Sequence, residues 1–269
     1  MKKKLSIVAV ALAAATGAPT ALAHCDDLPS WSVLQSDLQK AVNDERSMHL
    51  GLNGLGFNMW ATIVDNSGVV CAVAYSGPKE GDQWRGSRVI SAQKANTAQA
   101  FSLSNPLPGT NFPNGLALST ANLYSAVQPG GSLYGLQHSN PVNPAVAYAG
   151  EAEDFGSIND PMVGQRIGGV NVFGGGLALY GLASNAAGGK VVGGVGVSGD
   201  TSCEDHMVAW RLRNKLGFDH FGPVSGVSGD AQHPDNIIYL GPNEAPNGFK
   251  HPTCINTGDP KSLPAVQNP

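Results

Sequence analysis

The run Val191-Val192-Gly193-Gly194-Val195-Gly196-Val197-Ser198-Gly199 restricts the fold of this chain more than any other segment. It is apolar and reads as a strand, and its glycines let the strand end and the following helix start approach another backbone or a ligand. That helix is the best marked in the chain. Asp200 or Thr201 caps it, Glu204 completes a T-x-x-E capping box, and Gly217 follows a last turn carrying Arg211, Arg213 and Lys215. An earlier apolar run, Gly169 to Tyr180, joins the first through an Asn/Gly turn around Ala186 to Lys190, so the two read as a hairpin.

The N-terminal half is organised similarly. Leu28, Trp31, Leu34, Leu38 and Ala41/Val42 recur at helical spacing and predict an amphipathic helix from about Asp27 to Glu45. Asn58 to Val64 reads as a strand, Asp65-Asn66-Ser67-Gly68 as a turn with a φ > 0 glycine, and Val69 to Tyr75 as the returning strand. A helix over about Ser87 to Leu103 turns Val89/Ile90, Ala95, Ala98 and Phe101 inward, and such small residues allow close packing on a sheet. From Ser104 to Gln165 the pattern weakens into Pro, Gly and Asn. A short helical stretch survives near Ser119 to Val127, and Asn140 to Gln165 reads as a surface insertion. Phe218 to Pro269 reads as an irregular tail with one strand-like piece, Asn236 to Leu240. Antiparallel hairpins with interposed helices predict an α+β fold, not a parallel doubly wound sheet.

Lys2, Lys3 and Lys4, the apolar Leu5 to Ala15 and the small-x-small site Ala21-Leu22-Ala23 predict a signal peptide over residues 1–23. The apolar stretch is too short for a spanning anchor, and no later segment is apolar enough to cross a membrane. Cleavage removes Lys2 to Lys4 from the 16 basic residues and leaves all 20 acidic ones. With only 13% charged residues and no other Lys/Arg cluster, the chain lacks the footprint of a nucleic-acid binder. The expected location is periplasmic or secreted. There Cys25, Cys71, Cys203 and Cys254 form an even set suited to disulfides. Three connectivities are open. Cys203 and Cys254 share the C-terminal third, which favours that pair with Cys25–Cys71 as the remainder.

Several motifs lose their force in context. Gly194 to Gly199 matches GxGxxG, but no second strand leads from the helix to Asp219, so a dinucleotide site is not supported. The helix start at Gly199 to Cys203 still suits an anionic group. Cys203-x-x-His206 and His251-x-x-Cys254 mirror each other as a Cys₂His₂ zinc site would, against the simpler disulfide. Ser198 lies in GVSGD rather than GxSxG, so a nucleophile elbow is absent. His49, His138, His206, His220, His233 and His251 are candidate haem ligands, each read more readily as structural. Lys94 is a lone lysine among alanines in a helix otherwise almost uncharged, placed either to meet a carboxylate or to extend into solvent.

Four collinear pieces resemble the GlcG/HbpS family of haem-binding and haem-degrading-like proteins. They are Ile63 to Gly68, the Ser91 to Ala98 helix, Phe173-Gly174-Gly175-Gly176, and Val191 to Gly199 followed by Asp205, spread over roughly Leu28 to Leu216. The family-type positions are Lys94, Thr97, Gly194, Gly196, Ser198, Gly199 and Asp205. The resemblance implies a profilin-like or PAS-like antiparallel sheet flanked by helices, usually in a homo-oligomer, with haem or a related tetrapyrrole as ligand. The signal peptide, the four cysteines, the insertion and the tail depart from the family's short core. They divide the chain into a leader (1–23), a family-like domain (24–217) and an extension (218–269).

The expected site lies between the Lys94 helix and the Gly199 to His206 helix start. There Lys94, Thr97, Ser198, Gly199 and His206 would contact a haem or similar ligand, with Lys94 on a carboxylate and His206 the nearest iron ligand. This reading makes the chain an exported, non-enzymatic binder in haem handling or redox sensing. The rivals are a lyase or isomerase on a carboxylate substrate, with Lys94 and Asp205 as acid and base, and a non-catalytic sensor-accessory oligomer.

Overall fold

The computed structural model describes residues 25–48, 53–182, 188–245 and 248–267. The signal peptide, His49 and part of the Ala186–Lys190 turn lie outside them. In chain order the main elements are α1 (Trp31–Met48), β1 (Trp60–Asp65), β2 (Val70–Tyr75), α2 (Ser87–Phe101), β3 (Leu116–Ala117), α3 (Thr120–Leu123), α4 (Pro144–Ala147), β4 (Gly176–Gly181), β5 (Lys190–Ser198), α5 (Ser202–Leu216) and β6 (Ser225–Gly226).

The strands β2-β1-β5-β4 form an antiparallel sheet, as the α+β reading requires and a dinucleotide fold forbids. Side chains alternate across it. Ala61, Ile63, Val195 and Val197 pack with Leu34 and Leu38 of α1 and Met207, Val208 and Trp210 of α5. Trp60, Val64, Val70 and Val73 pack on the opposite face with Val89, Ala92 and Ala95 of α2. The β1–β2 turn is held by Asp65 Oδ1, which accepts bonds from the Ser67 amide at 2.8 Å and the Val69 amide at 2.9 Å.

Glycine explains how α2 sits so low on the sheet. Gly176 and Gly196 are cross-strand partners, so two neighbouring strands present bare backbone to the helix. A Cβ at Gly196 would lie 1.9 Å from the Ser91 carbonyl oxygen, and one at Gly194 2.3 Å from that of Ala95. Any side chain here would push the helix off the sheet.

The helix ends follow the sequence with two differences. A 3₁₀ turn over Cys25–Asp27 precedes α1, which starts at Trp31 after Pro29 instead of at Asp27. At α5, Thr201 Oγ1 accepts from the Glu204 amide at 3.3 Å, while the Thr201 amide donates to Asp200 Oδ1 at 2.6 Å. Asp200 therefore takes the place of Glu204 in the expected box. Gly217 ends the helix at φ +71°. The two disulfides are Cys25–Cys71 and Cys203–Cys254. With its two sulfurs bonded to each other, the mirrored Cys/His motif is not a Cys₂His₂ zinc site in this form.

Two irregular regions pack inward, the first of them where a surface insertion is expected. In the Asn140–Gln165 segment, Asp160 pairs with Arg88 of α2 at 2.5 Å, neither side chain more than 2% exposed. Arg88 also donates to the Ala147 carbonyl at 3.0 Å, and Ala147 and Met162 join the α2-side core. The Gln165 carbonyl accepts the Val70 amide and the Gly164 amide donates to Val70, so the segment runs along the free edge of β2. In the tail, Asp235 pairs with Arg213 at 2.6 Å and the Pro264 carbonyl accepts Trp210 Nε1 at 2.8 Å. Asn236–Leu240 makes only a bridge between Tyr239 and His251, not a strand.

Candidate functional site

Lys94 and Asp205 come from opposite faces of the sheet and meet beyond the end of β5. Lys94 Nζ donates to Asp205 Oδ2 at 2.7 Å and to the Val197 carbonyl at 2.9 Å. Asp205 Oδ1 accepts the Asp200 amide at 2.9 Å. Burial pushes Asp205 up to about 6 against the pull of Lys94, and burial lowers Lys94 against the pull of Asp205. Gly175 passes over the pair, where a Cβ would lie 2.9 Å from Asp205 Cβ and 3.2 Å from Lys94 Nζ. The Phe173–Gly176 motif is thus a close crossing of backbone over a buried ion pair. Lys94 is fully enclosed and its ammonium is engaged within the chain, so it presents no free cation to a ligand.

The other expected residues are divided between cleft and core. A cleft of about 260 Å³ opens between the N-terminal halves of α2 and α5. Its apolar side is Trp84, Ile90 and Phe173; its polar side is Ser87, Ser198, Asp200, Ser202 and Asp205. Trp84 is 51% exposed and Phe173 47%, so two aromatic faces stand open at the rim. Thr97 is buried, donating to the Gln93 carbonyl at 2.8 Å and accepting the Asn171 amide at 3.0 Å. Gly199 packs against the Asn58 carbonyl, where a Cβ would lie at 2.6 Å. His206 is fully buried, with Nε2 3.1 Å from the Ile237 amide and 3.2 Å from Asn236 Oδ1, and burial lowers it to about 4. It does not line the cleft, and the tail covers it. Among the described residues only Ser198 and Asp205 of the expected set reach the cleft; Trp84, Ser87, Ile90, Phe173, Asp200 and Ser202 complete it.

Asp200 is the organiser of the polar side. Its Oδ1 accepts the amides of Leu55 at 2.8 Å and Thr201 at 2.6 Å, and its Oδ2 that of Phe57 at 2.9 Å. Three amides converge on this carboxylate, which forms the acidic end of the cleft. A wider depression of about 430 Å³ lies on the tail around Pro223, Val224 and Asp230, but it has no aromatic wall.

A tetrapyrrole fits this cleft in one respect only. The exposed faces of Trp84 and Phe173 suit a flat apolar macrocycle. Among the described residues, no His, Cys, Met or Tyr lines the cleft to bind iron, and no cation lines it to meet propionates.

The fold and cleft define an α+β sheet protein with an aromatic-rimmed cleft where helix starts meet the end of a central glycine-rich strand. The model of the family described as haem degrading protein HbpS-like matches residues 50–212, and the chain belongs to that family. Among solved structures, Klebsiella pneumoniae protein ORFY is 22% identical, covering 70% of this chain and 90% of that one, at a TM-score of 0.40. A PduOC:heme complex is 22% identical over 70% and 94% of the two chains, at 0.41. HbpS is 14% identical over 69% and 87%, at 0.38. No curated protein matches the chain.

Proposed function

We propose that this protein is an exported binder of haem or a related tetrapyrrole, and that it holds the macrocycle by stacking rather than by a protein ligand to iron. The observation that carries this reading is the pair of exposed aromatic faces, Trp84 and Phe173, on the cleft between the N-terminal halves of α2 and α5. The anionic end at Asp200 would turn propionates outward to solvent. Two disulfides support an oxidising compartment and hence export. A homo-oligomer would cover the open side of a cleft too small to enclose a whole macrocycle. Service as a haem-handling or redox-sensing component follows from such reversible binding.

The carboxylate lyase or isomerase reading is not favoured. Its acid and base, Lys94 and Asp205, spend their hydrogen bonds on each other and on backbone beneath Gly175. The test is a paired titration with haem and with metal-free protoporphyrin, followed by absorbance and tryptophan quenching. Stacking predicts saturable binding of both; binding of haem alone would overturn it.

A further inference from the structure

At the polar end of the cleft the tail completes an arrangement that the glycine-rich motifs do not contain. Ser202, the first residue of α5, lines the cleft, and its Oγ lies 2.9 Å from His251 Nε2. His251 Nδ1 is 2.6 Å from the Pro252 carbonyl oxygen. A carbonyl only accepts, so Nδ1 carries the proton and Nε2 is the free acceptor facing the serine hydroxyl. We propose that Ser202 and His251 form a nucleophile–base dyad, oriented by the Pro252 carbonyl, that transfers the acyl group of neutral apolar esters to water.

Three features hold the pair in register. The Cys203–Cys254 disulfide ties the residue after the serine to the loop that carries the histidine. The His251 amide donates to the Ile238 carbonyl at 2.8 Å, and its own carbonyl accepts the Leu240 amide at 2.9 Å. The ring packs against Tyr124 with centroids 4.8 Å apart, leaving the imidazole 1% exposed beside a half-buried serine. His251, Pro252 and Cys254 all lie beyond residue 212, where the family match ends. The dyad is therefore a property of this chain's extension.

The chemistry balances without a further reagent. Ser202 Oγ forms a bond to the ester carbonyl carbon while its proton passes to His251 Nε2. The C–O bond to the alcohol then breaks, and the alcohol leaves with that proton. Water adds to the acyl-serine, gives its proton to His251, and releases the acid as the serine recovers a proton. Oxyanion charge falls at the N-terminus of a fifteen-residue helix, where the Ser202 amide has no partner among the described residues. Trp84, Ile90 and Phe173 suit an apolar acyl or aryl group, and the Asp200 carboxylate disfavours an anionic one.

The test uses the full chain with both disulfides formed and no tetrapyrrole added. It is treated with a fluorophosphonate and mapped by mass spectrometry, and p-nitrophenyl butyrate hydrolysis is measured in parallel. The expected result is one adduct, on Ser202, with turnover falling roughly a hundredfold or more in Ser202→Ala and in His251→Gln. Circular dichroism and the unfolding midpoint of Ser202→Ala should match the parent. An unlabelled protein, an adduct on another residue, or turnover that survives Ser202→Ala would overturn the proposal. Labelling is read in the parent protein, so a poorly folded variant does not obscure it. Because no tetrapyrrole is present, the result is independent of the stacking reading.

Discussion

Replacing Lys94 with Met keeps most of the side-chain volume and removes one ammonium from the centre of the site. That ammonium bonds Asp205 Oδ2 at 2.7 Å and the Val197 carbonyl at 2.9 Å, with the paired side chains 1% and 3% exposed. Its loss strands a carboxylate and a carbonyl in the core. Breaking a buried ion pair from one side costs roughly 3–5 kcal/mol. We therefore expect urea denaturation at pH 7.5 to show a loss of about 4 kcal/mol with an unchanged m value. The pH dependence has a definite sign. Burial already raises Asp205 to about 6, above its ordinary value of 3.8, so its stabilising contribution is present at low pH and lost as pH rises. Without Lys94 the carboxyl rises further, and the deficit of the variant should grow between pH 5 and pH 8. Adding Asp205→Asn should recover a large part of it, because the unpaired charge is gone. A Lys94→Met protein within about 1 kcal/mol of the parent at pH 7.5 would refute the argument, because a one-sided break of a buried pair cannot be that mild.

Other outcomes follow from the same geometry. Gly196→Ala sets a Cβ 1.9 Å from the Ser91 carbonyl oxygen, so it should cost roughly 3 kcal/mol or fail to fold, whereas a surface glycine at negative φ such as Gly86, with nothing nearby, should tolerate far more. Glu204 is pushed up to about 8 by burial and then by Glu45, Asp200 and Asp205, so stability present below pH 4.5 is lost as pH rises toward 8. Glu204→Gln should flatten that decline, whose steepest slope is about 1.4 kcal/mol per pH unit; an unchanged pH profile in thermal melts would contradict it. Removing the Cys203–Cys254 bridge, which spans 51 residues, with a Cys203→Ala, Cys254→Ala pair should cost about 4 kcal/mol in denaturant melts.

Much of the fold was legible in the sequence because it rests on local periodicity and punctuation. The β1–β2 hairpin is announced by Asp65-Asn66-Ser67-Gly68, and α5 by Thr201 and Gly217. The glycines of β5 announced a close approach, and the structure supplies its partner, the α2 backbone at Ser91 and Ala95. The irregular segments were not legible. Asn140–Gln165 and the tail each rest on a buried ion pair, Arg88–Asp160 and Arg213–Asp235, and on backbone bonds between residues far apart in the chain, with the Cys203–Cys254 bridge added in the tail. Such pairings leave no periodic trace. For the same reason the site was only half visible. Lys94 and Asp205 stood out as odd charges, but their mutual burial depends on Gly175 crossing above them. His206 reads as the nearest iron ligand because nothing in the sequence shows that Asn236 and Ile237 cover it. Trp84 lies in a turn ahead of α2, with only its size to recommend it. Ser202 and His251 are 49 residues apart, and the mirrored Cys/His spacing was the sole pointer to that region.

The account's central claim is that Trp84 and Phe173 hold a flat tetrapyrrole without a protein ligand to its iron. The most direct measurement is a Soret titration of the oxidised protein with haem, repeated with protoporphyrin and with the Trp84→Ala and His206→Ala variants. The account predicts saturation by both ligands at affinities within about threefold, since iron adds nothing to stacking. It further predicts roughly tenfold weaker binding in Trp84→Ala, equivalent to about 1.4 kcal/mol, and an unchanged haem spectrum in His206→Ala. Haem binding that protoporphyrin does not share, with six-coordinate bands that vanish in His206→Ala, would contradict it.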